Sequence, residues 1–288
     1  MKTAGIFYFS GTQNTEIVAR MVREELIKRQ YAVELFRIED FTKKKTVPDL
    51  EKYDLVGIGS QVIGFTAPSI VSRFVRALPA ARGKKAFVFR TAGGVAPINY
   101  NASKPLMRML ARRGYDVFHE RVFSIGSNWV KKFDDGVVVR LHEATGRKVG
   151  LMCDALDKGE RRILKTGLGL RLFMECVMRV TPFFFRLIGK DYAVSDACSH
   201  CGLCARNCPA ENILDKDGKI RFGLSCNLCM RCVYSCPKHA IHLRRFASFE
   251  LPGGYDVRRI LSQPAALSDA AAKPVPPFFE AYLADDAL

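Results

Sequence analysis

Eight of the ten cysteines in this 288-residue chain fall in two copies of one spacing. The first runs Cys198-x2-Cys201-x2-Cys204-x3-Cys208-Pro209, the second Cys226-x2-Cys229-x2-Cys232-x3-Cys236-Pro237. Thiolates in such density are ligands for soft metals, iron–sulfur clusters and zinc foremost. Zinc fingers usually pair ligands two by two, so runs of four favour iron–sulfur clusters and electron movement. A disulfide framework is disfavoured because nothing at the N-terminus reads as a secretion signal, and the cytoplasm is the expected compartment.

A second chemical signature lies at the other end. Thr3 to Phe9 is a short apolar run, followed by Ser10, Gly11, Thr12, Gln13, Asn14 and Thr15, and then by Ile17, Val18, Met21, Val22 and Leu26 at helical spacing. A hydroxyl- and amide-rich turn between a buried strand and a helix presents backbone N–H groups and a positive helix end to an anion. It lacks the lysine of a nucleotide-triphosphatase loop. The same residue types also serve as ordinary helix caps. Two glycine pairs, Gly57/Gly59 and Gly167/Gly169, lack the third glycine of a dinucleotide fingerprint, so no NAD(P) site is expected.

The cysteine region, about residues 190 to 245, resembles the bacterial-type 2[4Fe-4S] ferredoxins. That resemblance implies crossed ligand sets: Cys198, Cys201, Cys204 and Cys236 for one cluster, Cys226, Cys229, Cys232 and Cys208 for the other. Asp215 to Lys219 reads as a hairpin turn, and Ala240 to Leu243 as a closing strand. His200 is read as an exposed loop side chain, with a donor to cluster sulfur as the alternative.

The turn at Ser10–Thr15 resembles the FMN-phosphate loop of flavodoxins, with Gln13 where a glycine is common, and implies that Ser10, Thr12, Asn14 and Thr15 bond the phosphate. The elements that must position it follow the same pattern. Strands are expected at Ala32–Arg37, Leu55–Gly59, Lys85–Arg90 and Asp116–Ile125, with helices at Ala67–Leu78 and Ser103–Arg113. Such alternation packs as a parallel sheet with ligands at the carboxyl ends of its strands. The loops there are Ser60, Gln61, Val62, Ile63, Gly64 and Phe65 after the third strand, Thr91, Ala92, Gly93 and Gly94 after the fourth, and Asn128 and Trp129 after the fifth. Phe65, Tyr100 and Trp129 are candidates to cover a flavin ring or to pack the rim.

The whole therefore resembles a flavodoxin–ferredoxin fusion: an α/β, doubly wound parallel sheet followed by a small α+β 2[4Fe-4S] domain. The expected units are 1–150 (FMN domain), 151–190 (helical connector), 191–248 (ferredoxin domain) and 249–288 (tail, an arm or strap across the domains). The resemblance implies two [4Fe-4S] clusters, one FMN and no catalytic acid or base, hence an electron carrier. The alternative is a flavoenzyme whose clusters feed an FMN that reduces a small substrate.

Charge is the unusual part of the composition. The net charge is +16, and residues 1–190 hold 34 basic against 18 acidic side chains. Nucleic-acid binding would rest on that charge alone, so the expected partner is a redox protein with an acidic docking face. The connector from Gly159 to Lys190 is apolar around most of its circumference, with Arg161, Lys165, Arg171, Glu175 and Arg179 on a narrow stripe. Five charges argue against a spanning helix. A buried inter-domain helix, broken at Pro182, is expected in preference to one lying on a membrane or partner. Cys153 and Cys176 are expected to be buried thiols.

Overall fold

The computed structural model describes residues 1–216, 218–263 and 274–284. Strands β1 (Lys2–Phe9), β2 (Tyr31–Arg37), β3 (Leu55–Gln61), β4 (Lys84–Ala92) and β5 (Tyr115–Ser124) form one sheet in the order β2-β1-β3-β4-β5, parallel throughout. This is the doubly wound, flavodoxin-like order, in which the chain reverses direction across the sheet between β1 and β3. β1, β3 and β4 are buried on both faces over nearly their whole length, which explains why their sequences are apolar without alternation.

Helices cover both faces. α1 (Asn14–Lys28) turns Val18, Ala19, Val22 and Leu26 inward at helical spacing. It shares a core with Phe87, Phe89 and α5 (Asp135–Asp157). α2 (Ile38–Lys44), α3 (Ser69–Ala77) and α4 (Lys104–Arg112) cover the other face, where Phe7, Ile58, Phe74, Leu106 and Leu110 pack. Asp134 caps α5 by accepting from the Gly136 N–H at 2.9 Å. The boundary expected at residue 150 falls inside α5, which continues to Asp157.

The connector is α6 (Leu168–Ile188), and it differs from expectation in two ways. Pro182 lies inside the helix and does not end it, while Thr181 Oγ1 back-bonds to the Val177 carbonyl one turn earlier at 2.7 Å. Only Met174, Met178 and Ile188 are buried, so the helix rests on one narrow face and is not enclosed between domains. Cys176 is exposed for the same reason, whereas Cys153 is buried as expected.

Beyond α6 come β6 (Tyr192–Val194), α7 (Leu203–Asn207), β7 (Ile213–Lys216), β8 (Lys219–Phe222), α8 (Arg231–Tyr234) and β9 (Ile241–Leu243). β6 pairs antiparallel with β9, and β7 with β8. The described part of the tail straps back onto the α/β unit. α9 (Val257–Ser262) and α10 (Pro277–Ala284) send Val257, Ile260, Phe279 and Tyr282 into the α1/α5 core. The remaining tail positions lie outside the described residues.

Candidate functional site

The cysteine unit is a structural as well as a sequence repeat. A shift of 28 residues carries Cys198, Cys201, Cys204 and Cys208 onto Cys226, Cys229, Cys232 and Cys236. The same shift carries three left-handed backbone positions of the first run onto three of the second: His200 (φ 51°) onto Leu228 (46°), Gly202 (68°) onto Met230 (60°), and Glu211 (51°) onto His239 (46°). Five of these six are not glycine, and a left-handed conformation costs such residues about 1–2 kcal/mol. The two loops thus follow the same strained path. The N–H of Asn212 donates to Cys208 Sγ at 3.3 Å, and that of Ala240 to Cys236 Sγ at 3.4 Å, so the sulfur contacts repeat too.

The fold brings the cysteines together across the two runs. One cavity is lined by Cys208, Cys226, Cys229 and Cys232, the other by Cys198, Cys201, Cys204 and Cys236. Among the described residues no group of three or more His, Cys, Asp or Glu side chains is placed to hold a single metal ion. Each quartet is instead spread around a space. The two environments differ: burial pushes the Cys226 thiol up to about 12 and raises Cys229 and Cys232 as well, while the Leu203 backbone N–H lowers exposed Cys201. The quartet around the first cavity is thus the more buried, with Cys229 buried where Cys201 of the second is exposed. His200 is exposed on the rim of the second.

The loop after β1 is where the two halves meet. Gln13 sits at φ 74° before α1, in the left-handed region that explains why glycine suits this position. No side chain caps α1, and the backbone N–H groups from Gly11 to Thr15 find no acceptor among the described residues. The side chains expected to grip an anion are mostly engaged elsewhere. Thr12 Oγ1 accepts from Asn128 Nδ2 at 2.7 Å, and Thr15 Oγ1 lies 2.7 Å from Thr91 Oγ1. Asn14 donates to the Gly126 carbonyl at 3.1 Å and accepts from Tyr255 at 2.8 Å. The side chains therefore brace the loop, and the free donors are backbone N–H groups.

Against this loop lies the Cys226–Cys232 segment. A Cβ on Gly11 would stand 2.2 Å from the Cys229 carbonyl oxygen. Arg231 reaches across, donating to the Ser10 carbonyl at 2.6 Å and pairing with Glu39 at 2.6 Å. The first cysteine run has Leu203 at the matching position, and that break in the repeat is the sequence signal by which Arg231 could have been found.

The loops after β3, β4 and β5 gather at the same end of the sheet. Arg90, fully buried in β4, donates to the carbonyls of Gln61 at 3.0 Å and Thr66 at 2.9 Å and so sets the path of the β3 loop. Burial draws its guanidinium down to about 9. Ile63 and Trp129 leave the sheet to pack with Phe185, Leu228 and Met230. Gly64 and Phe65 both have left-handed backbones, and a Cβ on Gly64 would meet Phe185 at 2.2 Å. Gly93 packs beside Ser127, and Gly94 beside Phe278 of the tail. Ser60 Oγ, both amide atoms of Gln61, Gln13 Oε1 and Trp129 Nε1 are buried without a hydrogen-bond partner. Orphaned polar atoms concentrated at one end of the sheet suit a polar group that none of these side chains supplies.

A doubly wound α/β unit of flavodoxin-like strand order thus carries a small unit with two cysteine-lined cavities. No family model matches the chain, and no curated protein matches it. Among solved structures it is similar to oxidised flavodoxin 2 from Bacillus cereus, at 20% identity over 55% of this chain and 99% of that one, with a TM-score of 0.42. It is also similar to the general stress protein 14 from Treponema denticola, in complex with FMN, at 11% identity over 54% of this chain and 99% of that one, TM-score 0.40. A flavodoxin from Streptococcus pneumonia TIGR4 is similar at 15% identity over 55% and 99%, TM-score 0.39.

Proposed function

We propose that this chain is an electron-transfer protein that passes electrons between two [4Fe-4S] clusters and one FMN, its cysteine unit being a ferredoxin-type domain. The observation that carries the reading is the crossing of the two cysteine runs into separate quartets, each around its own cavity. Cys198, Cys201, Cys204 and Cys236 would hold one cluster, and Cys208, Cys226, Cys229 and Cys232 the other. The clusters supply one-electron steps, and the flavin supplies exchange between one and two electrons.

Everything else falls to the chain itself. The N–H donors of Gly11 to Thr15 and the positive end of α1 favour a phosphate, and the partnerless atoms of Ser60, Gln61 and Trp129 offer donors and acceptors to a polar ring. Arg90 holds the β3 loop, and the contact of Cys229 with Gly11 sets one cysteine quartet directly against the β1 loop.

Anaerobic preparation should give about eight irons and about one FMN per chain. Photoreduction of the clusters should then bleach the flavin band in the same molecule. A protein that binds both groups yet never equilibrates electrons between them would sink the proposal.

A further inference from the structure

Seven of the large apolar side chains exposed among the described residues lie on α6. Leu168 is 69% exposed, Phe173 62% and Phe183 61%, and Leu172, Val180, Phe184 and Leu187 are exposed beside them. With Cys176, these residues cover a continuous arc of about 160° at 3.6 residues per turn. The helix has 21 residues, so the strip runs for about 30 Å at 1.5 Å per residue. Single exposed apolar residues need no explanation, whereas a strip of this size marks an interaction site.

One edge of the strip is basic. Arg179 and Arg186 lie at its border, and from there a groove of about 820 Å³ opens between α6, α3 and α4. Its arginines are Arg73, Arg76, Arg108, Arg112, Arg179 and Arg186. Glu175, the acidic residue of the groove, is taken by Arg108 and by Arg171 at 3.4 Å. The other five guanidiniums have no carboxylate within ion-pair distance among the described residues.

We infer that α6 docks this protein flat on an anionic lipid surface, with its Phe/Leu strip in the acyl boundary and the arginine groove facing the headgroups. No described helix is long and apolar enough to cross a membrane, and an apolar face bordered by arginines is the pattern of a helix that lies in the interface. The two alternatives fit the charge and the strip less well. A second copy would cover the apolar arc but bring two arginine-rich edges together in a chain of net charge +16. An acidic protein face would satisfy the arginines and leave the aromatic strip in water. The inference does not depend on which cofactors are bound, although Cys226 lines the groove and would come to the membrane-facing side.

The test is sedimentation of the anaerobically purified full chain with vesicles of phosphatidylcholine, and with vesicles of an equal mixture of phosphatidylcholine and phosphatidylglycerol. Binding is expected only to the mixed vesicles and should weaken steeply with salt. Arg179→Gln should weaken it about fivefold, the worth of one charge near such a surface. Phe173→Asp combined with Phe184→Asp should abolish it while leaving circular dichroism and iron content unchanged, since both rings are exposed. No binding to anionic vesicles at low salt, equal binding to both vesicle types, or binding that survives the double substitution overturns the inference. So does a dimer in solution that the double substitution converts to monomer.

Discussion

Gly11 and Cys229 are in backbone contact, and they belong to the two parts of the chain whose sequences carry chemistry. Only a residue without a side chain lets the loop after β1 approach the Cys229 carbonyl this closely, because a Cβ there would be 2.2 Å from that oxygen and 2.8 Å from Cys229 Cβ. Arg231, two residues on, ties the same loop through the Ser10 carbonyl and Glu39, with 15% of its side chain exposed. A steric demand at Gly11 and a mostly buried ion pair thus hold one cysteine quartet against the N-terminus of α1.

Gly11→Ala is therefore expected to act at a distance. The neighbouring atom is a backbone carbonyl, which cannot rotate away, so the contact must open. Overpacking of this kind costs about 1–3 kcal/mol. Chemical denaturation should show that loss, and limited proteolysis should cut the 189–200 segment faster. Unchanged stability and an unchanged cleavage rate would show that the contact is loose in solution.

Cys208→Ala separates motif from site. Cys208 stands in the first run but lines the cavity of Cys226, Cys229 and Cys232. Iron content should fall from about eight to about four per chain. The surviving cluster should be the one that Cys201→Ala removes and Cys229→Ala does not. Selective loss of the other cluster would make the crossed assignment wrong.

The five parallel strands were legible because each is a short apolar run closed by turn residues, and the order of helices followed from periodicity. The two cysteine runs were legible as one repeated spacing, whereas their grouping into crossed quartets was implied only by the resemblance to ferredoxins. Three features were not. The place of Pro182 inside α6 depends on a single lost N–H bond, and propensity cannot tell a kink from a stop. The exposure of α6 depends on which arc of an apolar helix finds a partner, a tertiary matter that the sequence pattern leaves open. The bracing contacts of Asn14 and Thr15 are not legible in the sequence, because a side chain that suits an anion also suits a brace: Asn14 is held by Gly126 and by Tyr255, 241 positions away, and Thr15 lies against Thr91.

Discrimination at the β1 loop tests its donors. If backbone N–H groups of Gly11 to Thr15 hold a phosphate, apoprotein should bind FMN well and riboflavin poorly, by about 1.5–3 kcal/mol for each charge-assisted bond lost. Thr12→Ala, which removes only the partner of Asn128, should change FMN affinity less than that. Equal affinity for the two flavins in an anaerobic fluorescence titration would remove the phosphate from this loop.

The two cysteines outside the runs give a prediction free of any cofactor. Cys176 is exposed on α6, whereas Cys153 is buried in α5. Burial raises the Cys153 thiol from 9.0 to about 12. Iodoacetamide at pH 8 should alkylate Cys176 within minutes and spare Cys153 until the protein unfolds, as peptide mass mapping can read. The same shift has a sign for stability. The native state keeps the Cys153 proton over a range in which the unfolded state has lost it, so stability is full below about pH 9 and falls as pH rises toward 12. Cys153→Ala removes the titrating group and should flatten that part of the alkaline profile, at the cost of a smaller side chain in the core. Rapid alkylation of native Cys153, or an alkaline stability loss identical in the alanine variant, would show that this thiol is not held as the structure places it.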